Sequence, residues 1–137
     1  MPTLVDTGFL FALADVRDTH HNRAFEVSRT LSDTVIVPVT VLPEICYLLD
    51  SRLGHAAMRQ FLIRLHDGPM LIEQVTKADL ARASEILDQY ADSRIDFVDA
   101  TLVTLAERLN IIHILTVDRR HFQIVRPRHC VAFEILP

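Results

Sequence analysis

Apolar residues along this chain come in two rhythms. Short, continuous aliphatic runs read as buried strands: Thr3-Leu4-Val5, Thr34 to Pro38 (TVIVP), Met70 to Val75 (MLIEQV), Ile111 to Val117 (IIHILTV) and Val131 to Leu136 (VAFEIL). Between them apolar positions recur at helical spacing. Residues 7 to 14 suit a short buried helix. A second runs from Asp18 to Leu31, with Ala24, Val27 and Leu31 on one face and Asp18 or Thr19 as its cap. A third starts at Thr40 and reaches Leu53, where Gly54 is placed to end it. The pattern then predicts helices over 55 to 66, stopped by Asp67-Gly68-Pro69, from Lys77 to Tyr90, and from Ser93–Asp96 to Leu109. Strands alternating with helices predict the α/β class: a three-layer α/β/α fold around a central parallel sheet of four to five strands. At 137 residues the whole chain, 1–137, fits one domain.

Composition adds constraints. Half of the residues are hydrophobic and Trp is absent, so the core rests on Leu, Val, Ile and Ala. Cys46 and Cys130 are in no metal-ligand spacing, and read as small buried hydrophobes of a reduced, cytoplasmic protein. Asp6 interrupts any N-terminal signal, and no apolar run is long enough for a membrane span. The net charge of −4 speaks against a general nucleic-acid binder. Basic charge is nonetheless concentrated from Arg119 to His129, where four Arg and two His follow Asp118. Arg119 and Arg120 are candidates for a phosphate-contacting lip, because local charge rather than total charge steers RNA. Phe122, in the same stretch, is expected in the core rather than under a base, and His20 and His21 on the surface.

The acids give the candidate chemistry. Asp6 ends the first strand, Asp118 follows a later one, Glu44 lies in the first turn of the helix after the second strand, and Asp99 lies early in its helix, three residues after Asp96. Taken singly, each is an ordinary cap or turn residue. Together they are carried towards the crevice beyond the carboxyl ends of the strands, the usual site of an open α/β sheet. Carboxylates gathered there repel each other unless a cation compensates them. An all-oxygen donor set favours Mg²⁺ or Mn²⁺, whose natural substrates are phosphates. The hydroxyls of Thr7 and Thr116 neighbour these acids and can orient them or touch phosphate.

The segments Leu4-Val5-Asp6-Thr7-Gly8-Phe9-Leu10, Pro38 to Glu44, Asp96-Phe97-Val98-Asp99-Ala100 and Ile114 to Phe122 together resemble a PIN domain, and among PIN domains the VapC-type toxins of bacterial toxin–antitoxin pairs. The resemblance spans nearly the whole chain. It implies an endoribonuclease dependent on Mg²⁺ or Mn²⁺, a homodimer, and a cognate antitoxin. It puts the catalytic acids at Asp6, Glu44, Asp99 and Asp118, with Asp6 and Asp99 as metal ligands and Asp96 as an auxiliary. Two positions depart from the pattern. Gly8 stands where a hydroxyl residue is common, and Arg119 where many PIN domains carry an acidic residue or Asn, which argues against a complete second metal site. The alternatives are a PIN-like RNA-processing nuclease without antitoxin, or an inactive metal- or RNA-binding module.

Overall fold

The computed structural model covers residues 1–137. Five strands, β1 (Thr3–Val5), β2 (Val35–Pro38), β3 (Leu71–Glu73), β4 (His113–Leu115) and β5 (Glu134–Leu136), form one sheet in the order β3-β2-β1-β4-β5. Every pairing is parallel. Seven helices connect them: α1 (Thr7–Ala14), α2 (His21–Thr30), α3 (Val41–Leu53), α4 (His55–Asp67), α5 (Lys77–Gln89), α6 (Phe97–Leu109) and the short α7 (Arg120–Ile124). The expected α/β architecture is therefore present, at the upper end of the expected strand number.

The order of strands determines the layers. From β1 the chain steps outward to β2 and β3, then returns across the sheet to β4 and β5. Parallel crossovers are right-handed, so reversing the direction of stepping moves the connecting helices to the opposite face. The packing agrees: α1 packs on α2 and α3, and α3 on α4, while α5 packs on α6. The central strands are buried on both sides, with Leu4, Val5, Ile114 and Leu115 essentially inaccessible. Helix α6 is the most deeply set, with every residue from Asp99 to Ala106 buried. No helix is long and apolar enough to cross a membrane.

Several boundaries differ from the sequence reading, each for a local reason. β3 shrinks to three residues and leaves Leu71 and Ile72 exposed, because it is an edge strand paired on one side only. The other edge strand, β5, is also shorter than the apolar run predicts. α2 starts at His21, and neither Asp18 nor Thr19 is its cap; Asp18 instead accepts the His20 N–H within the preceding turn. His21 is not a free surface residue, since its Nδ1 lies 2.7 Å from the Ala12 carbonyl oxygen. Thr40 precedes α3 but its hydroxyl does not cap it, being engaged with Thr101. α6 begins at a capping box formed by Asp96 and Asp99 themselves, whereas Ser93 lies in a separate 3₁₀ turn. Cys46 and Cys130 are free and half-buried rather than fully enclosed.

Distal to the crevice, ion pairs tie the helices of the second face together. Arg108 makes two hydrogen bonds to the buried Asp79 of α5 and reaches Glu73. Arg82 forks onto Glu107 at 2.8 and 3.0 Å, and Glu107 also accepts the Arg128 N–H. Burial works to raise the Asp79 and Glu107 carboxyls, but their hydrogen bonds outweigh it and both sit below the ordinary carboxylate range.

Candidate active site

The reversal of strand order falls between β1 and β4, and at such a point the loops at the carboxyl ends diverge and open a crevice. Register then determines which residues meet there. Val5 pairs with Leu115, and the Asp6 N–H donates to the Leu115 carbonyl. The next residues, Asp6 and Thr116, therefore face each other across 110 positions of sequence, with the Thr116 hydroxyl 3.1 Å from Asp6 Oδ2. Thr116 Oγ1 also lies 3.2 Å from the Asp118 carbonyl and accepts the Asp118 N–H at 3.1 Å. One buried hydroxyl thus joins the ends of both central strands.

Asp6 caps α1, its Oδ1 accepting the Thr7 N–H at 2.8 Å. Its carboxyl is pushed up to about 6, first by burial and then by the charges of Glu44 and Asp96, against the pull of the Thr7 and Thr116 hydrogen bonds. Asp99 is raised to about 7 by burial and by the charges of Asp96 and Asp6, against the opposing influence of His121. Its Oδ2 meets the Asp96 N–H at 3.4 Å and His121 Nδ1 at 2.7 Å. Asp99 Oδ1 is in none of these contacts.

Four expected acids therefore interact electrostatically: Asp6, Asp99, Asp96 and Glu44. Asp118 differs. Its carboxylate is half-exposed and turned to Arg120, whose hydrogen bonds overcome the effect of burial and hold it below the ordinary carboxylate value. Asp96 is exposed and engaged as the α6 cap, with Oδ1 accepting the Asp99 N–H at 2.8 Å. The expected metal residues Asp6, Asp99 and Asp96 do not close into a ready-made cage, since no three His, Cys, Asp or Glu side chains do so.

Thr116, Arg119 and Arg120, candidates for substrate contact, already have partners within the protein. Thr116 is fully buried and Thr7 nearly so, and the Thr116 hydroxyl hydrogen-bonds Asp6. Arg119 reaches back to the Pro137 carbonyl oxygen, and Arg120 pairs with Asp118, although both side chains remain at the rim. The residue the sequence reading missed is His121. It sits on α7, three positions after Asp118, in a stretch that composition marks only as basic. The available signal was its place in the segment Asp118-Arg119-Arg120-His121-Phe122, where a one-turn helix turns the imidazole inward. Phe122 is in the core, edge-on to Phe133 at 6.3 Å.

Gly8 also has a structural reason. A Cβ there would lie 2.8 Å from Val117 Cγ2, so the segment carrying Asp118 packs directly on the first turn of α1.

The sequence signature of the PIN domain matches residues 3–126. This chain belongs to the PIN-domain family. Among its relatives, Ribonuclease VapC26 of Mycobacterium tuberculosis is 33% identical over 134 residues, covering 98% of this chain and 99% of that protein. The crystal structure of M. tuberculosis VapC20, a toxin that cleaves the sarcin–ricin loop, superposes with a TM-score of 0.81 at 26% identity, over 87% of this chain and 92% of the other. VapBC2 of Rickettsia felis, crystallised with a promoter DNA fragment, shares the fold at a TM-score of 0.70 and 16% identity, with all of both chains covered. The likeness to VapC proteins thus extends over nearly the full length of this PIN domain.

The donor set of this PIN domain fits a hard divalent cation. Two buried carboxylates, raised in pKa by burial and by like-charge repulsion from neighbouring carboxylates, are stabilised in their ionised forms by such an ion. Mg²⁺ commonly takes only one or two carboxylates and fills its remaining positions with water and phosphate oxygens, so a closed protein cage is not required.

Proposed function

We propose that this PIN domain is an endoribonuclease of the VapC type, the toxin of a toxin–antitoxin pair, acting with Mg²⁺ or Mn²⁺. The observation that carries the reading is the pair of buried acids Asp6 and Asp99 at the strand-order reversal, close enough for the charge of Asp6 to act on Asp99 and raised to about 6 and about 7 by burial and by neighbouring carboxylates. The VapC26 ribonuclease supports the activity, and VapC20 supports a structured RNA loop as the substrate class.

In this reading Asp6 and Asp99 hold the cation. Bound there, it supplies charge neutralisation and Lewis acidity at a phosphodiester. The chain's own groups do the positioning. Thr116 fixes the Asp6 carboxylate and His121 fixes Asp99, as the groups behind metal ligands generally do. The first turns of α1, α3 and α6 follow or carry Asp6, Glu44 and Asp99, and their positive dipole ends favour a phosphate nearby. Glu44, whose charge acts on Asp6, positions the attacking water, and Asp118 with Arg119 and Arg120 forms the charged rim.

The antitoxin in this proposal is supported by relatives crystallised as VapBC complexes. An apolar recess of about 400 Å³, walled by Leu10, Leu13, Leu49, Leu53, Phe61 and Leu65, is suited to apolar side chains of that partner. The exposed Leu62 and Ile63 of α4, with Leu71 and Ile72 of the edge strand, support a homodimer contact.

Total RNA incubated with the purified protein, with and without Mg²⁺ or Mn²⁺, tests the reading. Cleavage by wild type that requires the ion and is lost in Asp6→Asn and Asp99→Asn is the expected result. Ion-independent cleavage, or Asn variants as active as wild type, overturns it.

A further inference from the structure

The acids and their supports leave one residue beside them without a role. Phe97 is the first residue of α6, between the cap Asp96 and Asp99, and is 48% exposed. It leads the stripe Phe97, Ala100, Thr101 and Thr104, at the i, i+3, i+4 and i+7 spacing of one helical face. The other three members are buried. The helix is enclosed all round from Asp99 to Ala106, yet the Phe97 ring at its start is open.

Its neighbours show why. Thr101, one turn further along, donates to the Val98 carbonyl and receives a hydrogen bond from Thr40 at 2.7 Å. Thr40 lies just after the carboxyl end of β2, and Glu44 follows it by one turn on the same face of α3. Helical side chains tilt towards the N-terminus, so Phe97, one turn before Thr101, lies at the α6 end that carries Asp96 and Asp99, the same end at which Thr101 meets Thr40. The ring contacts in the molecule join His21 to Phe25, Phe122 to Phe133 and His129 to Phe133, and none includes Phe97.

We infer that Phe97 is a stacking platform for the base adjoining the phosphate that is cut, in a single-stranded stretch of RNA. The inference rests on the ribonuclease reading above and adds how the substrate is held. Each phosphate brought to Asp6 and Asp99 carries a nucleoside on either side, and a base is a flat, largely apolar group that matches an open aromatic face. Aromatic rings hold unpaired bases in this way largely regardless of sequence, whereas paired bases in a duplex are not available to them. Phe122 does not compete for the role, being 1% exposed.

The chain has no Trp, so Phe97→Trp installs a single fluorophore at the platform. The probes are a ten-nucleotide single-stranded oligoribonucleotide, the same length carrying abasic sites, and a blunt RNA duplex, mixed with the Mn²⁺-loaded protein by stopped flow so that binding is read ahead of cleavage. The expected result is quenching by the single strand and not by the abasic strand or the duplex. Phe97→Ala should weaken single-strand binding by roughly five- to a hundredfold, the range seen on removing one base–aromatic stack, and raise KM more than it lowers kcat. Phe97→Tyr should restore binding. Unchanged binding and KM in Phe97→Ala, with normal cleavage by wild type, overturn the inference and leave the ribonuclease reading intact. Emission indifferent to RNA but shifting with protein concentration assigns the ring to a contact between copies and also overturns it. Wild type that neither binds nor cleaves any RNA fails the ribonuclease reading, and this inference with it.

Discussion

His121 Nδ1 lies 2.7 Å from Asp99 Oδ2, joining the short helix after β4 to the first turn of α6. The contact determines which oxygen of Asp99 remains available and opposes the charges that raise its carboxyl. His121→Ala should therefore lower cleavage by about 10- to 100-fold, the usual effect of removing a group behind a metal ligand. It should also move the acidic limb of the pH–rate profile upward, because Asp99 would need a higher pH to ionise. A profile identical to wild type would assign His121 a packing role only.

Asp6→Asn should abolish most activity, by on the order of 10²-fold or more. It should not destabilise the metal-free protein. At pH 8 a buried carboxylate beside other carboxylates opposes folding, so removing its charge should leave Tm unchanged or raise it. A lower Tm for Asp6→Asn in EDTA would show that capping α1 outweighs the repulsion.

Stability should depend on pH in two windows of opposite sign. Asp6 and Asp99 are raised in the folded state, which therefore binds more protons than the unfolded chain between about pH 4 and 7. Over that window the metal-free protein should lose stability as pH rises. Asp79 and Glu107 are lowered, so their contribution is present above the ordinary carboxylate values and is lost as pH falls through them. Thermal melts from pH 3 to 8 in EDTA should peak on the acidic side of neutrality, and saturating Mn²⁺ should flatten the neutral limb. A neutral limb unaffected by Mn²⁺ would contradict this account.

Thr116→Val removes the hydroxyl shared by Asp6 and the Asp118 backbone while nearly preserving volume. Cleavage should drop by about 10- to 100-fold, and Thr116→Ser should recover most of it. Similar losses in both variants would point to packing rather than to the hydrogen bond.

Gly8→Ala should destabilise by about 1–3 kcal/mol through overpacking against Val117. Val117→Ala in the same chain should relieve part of the loss, as read by urea denaturation.

Most of the fold was legible because the strands are short buried runs and the helices are periodic. α1 follows the reading to the residue, since Asp6 and Asp15 bound it as they bound the apolar segment. The edge strands were overestimated because an apolar run does not reveal that one side lacks a partner. The convergence of Asp6, Glu44, Asp96 and Asp99 follows from strand ends and helix starts, which sequence marks well. The orientation of Asp118 towards Arg120 and the inward turn of His121 depend on a one-turn helix within a basic stretch, and the burial of Thr116 depends on the β1–β4 register. Five residues are too few to show a period, and burial of a polar side chain leaves no mark in composition. Gly8, read as a missing hydroxyl, is explained by a contact with Val117 across more than a hundred residues.

The middle strand β1 and its neighbour β4 carry Asp6 and Thr116 at their ends, with a further strand on either side of the pair. The amides of β1 and β4 should be among the last to exchange with solvent, and the edge strands β3 and β5 can fray without displacing Asp6. Asp6 and the hydroxyl that orients it are thereby anchored to the segment of the molecule that opens only when everything else has come apart.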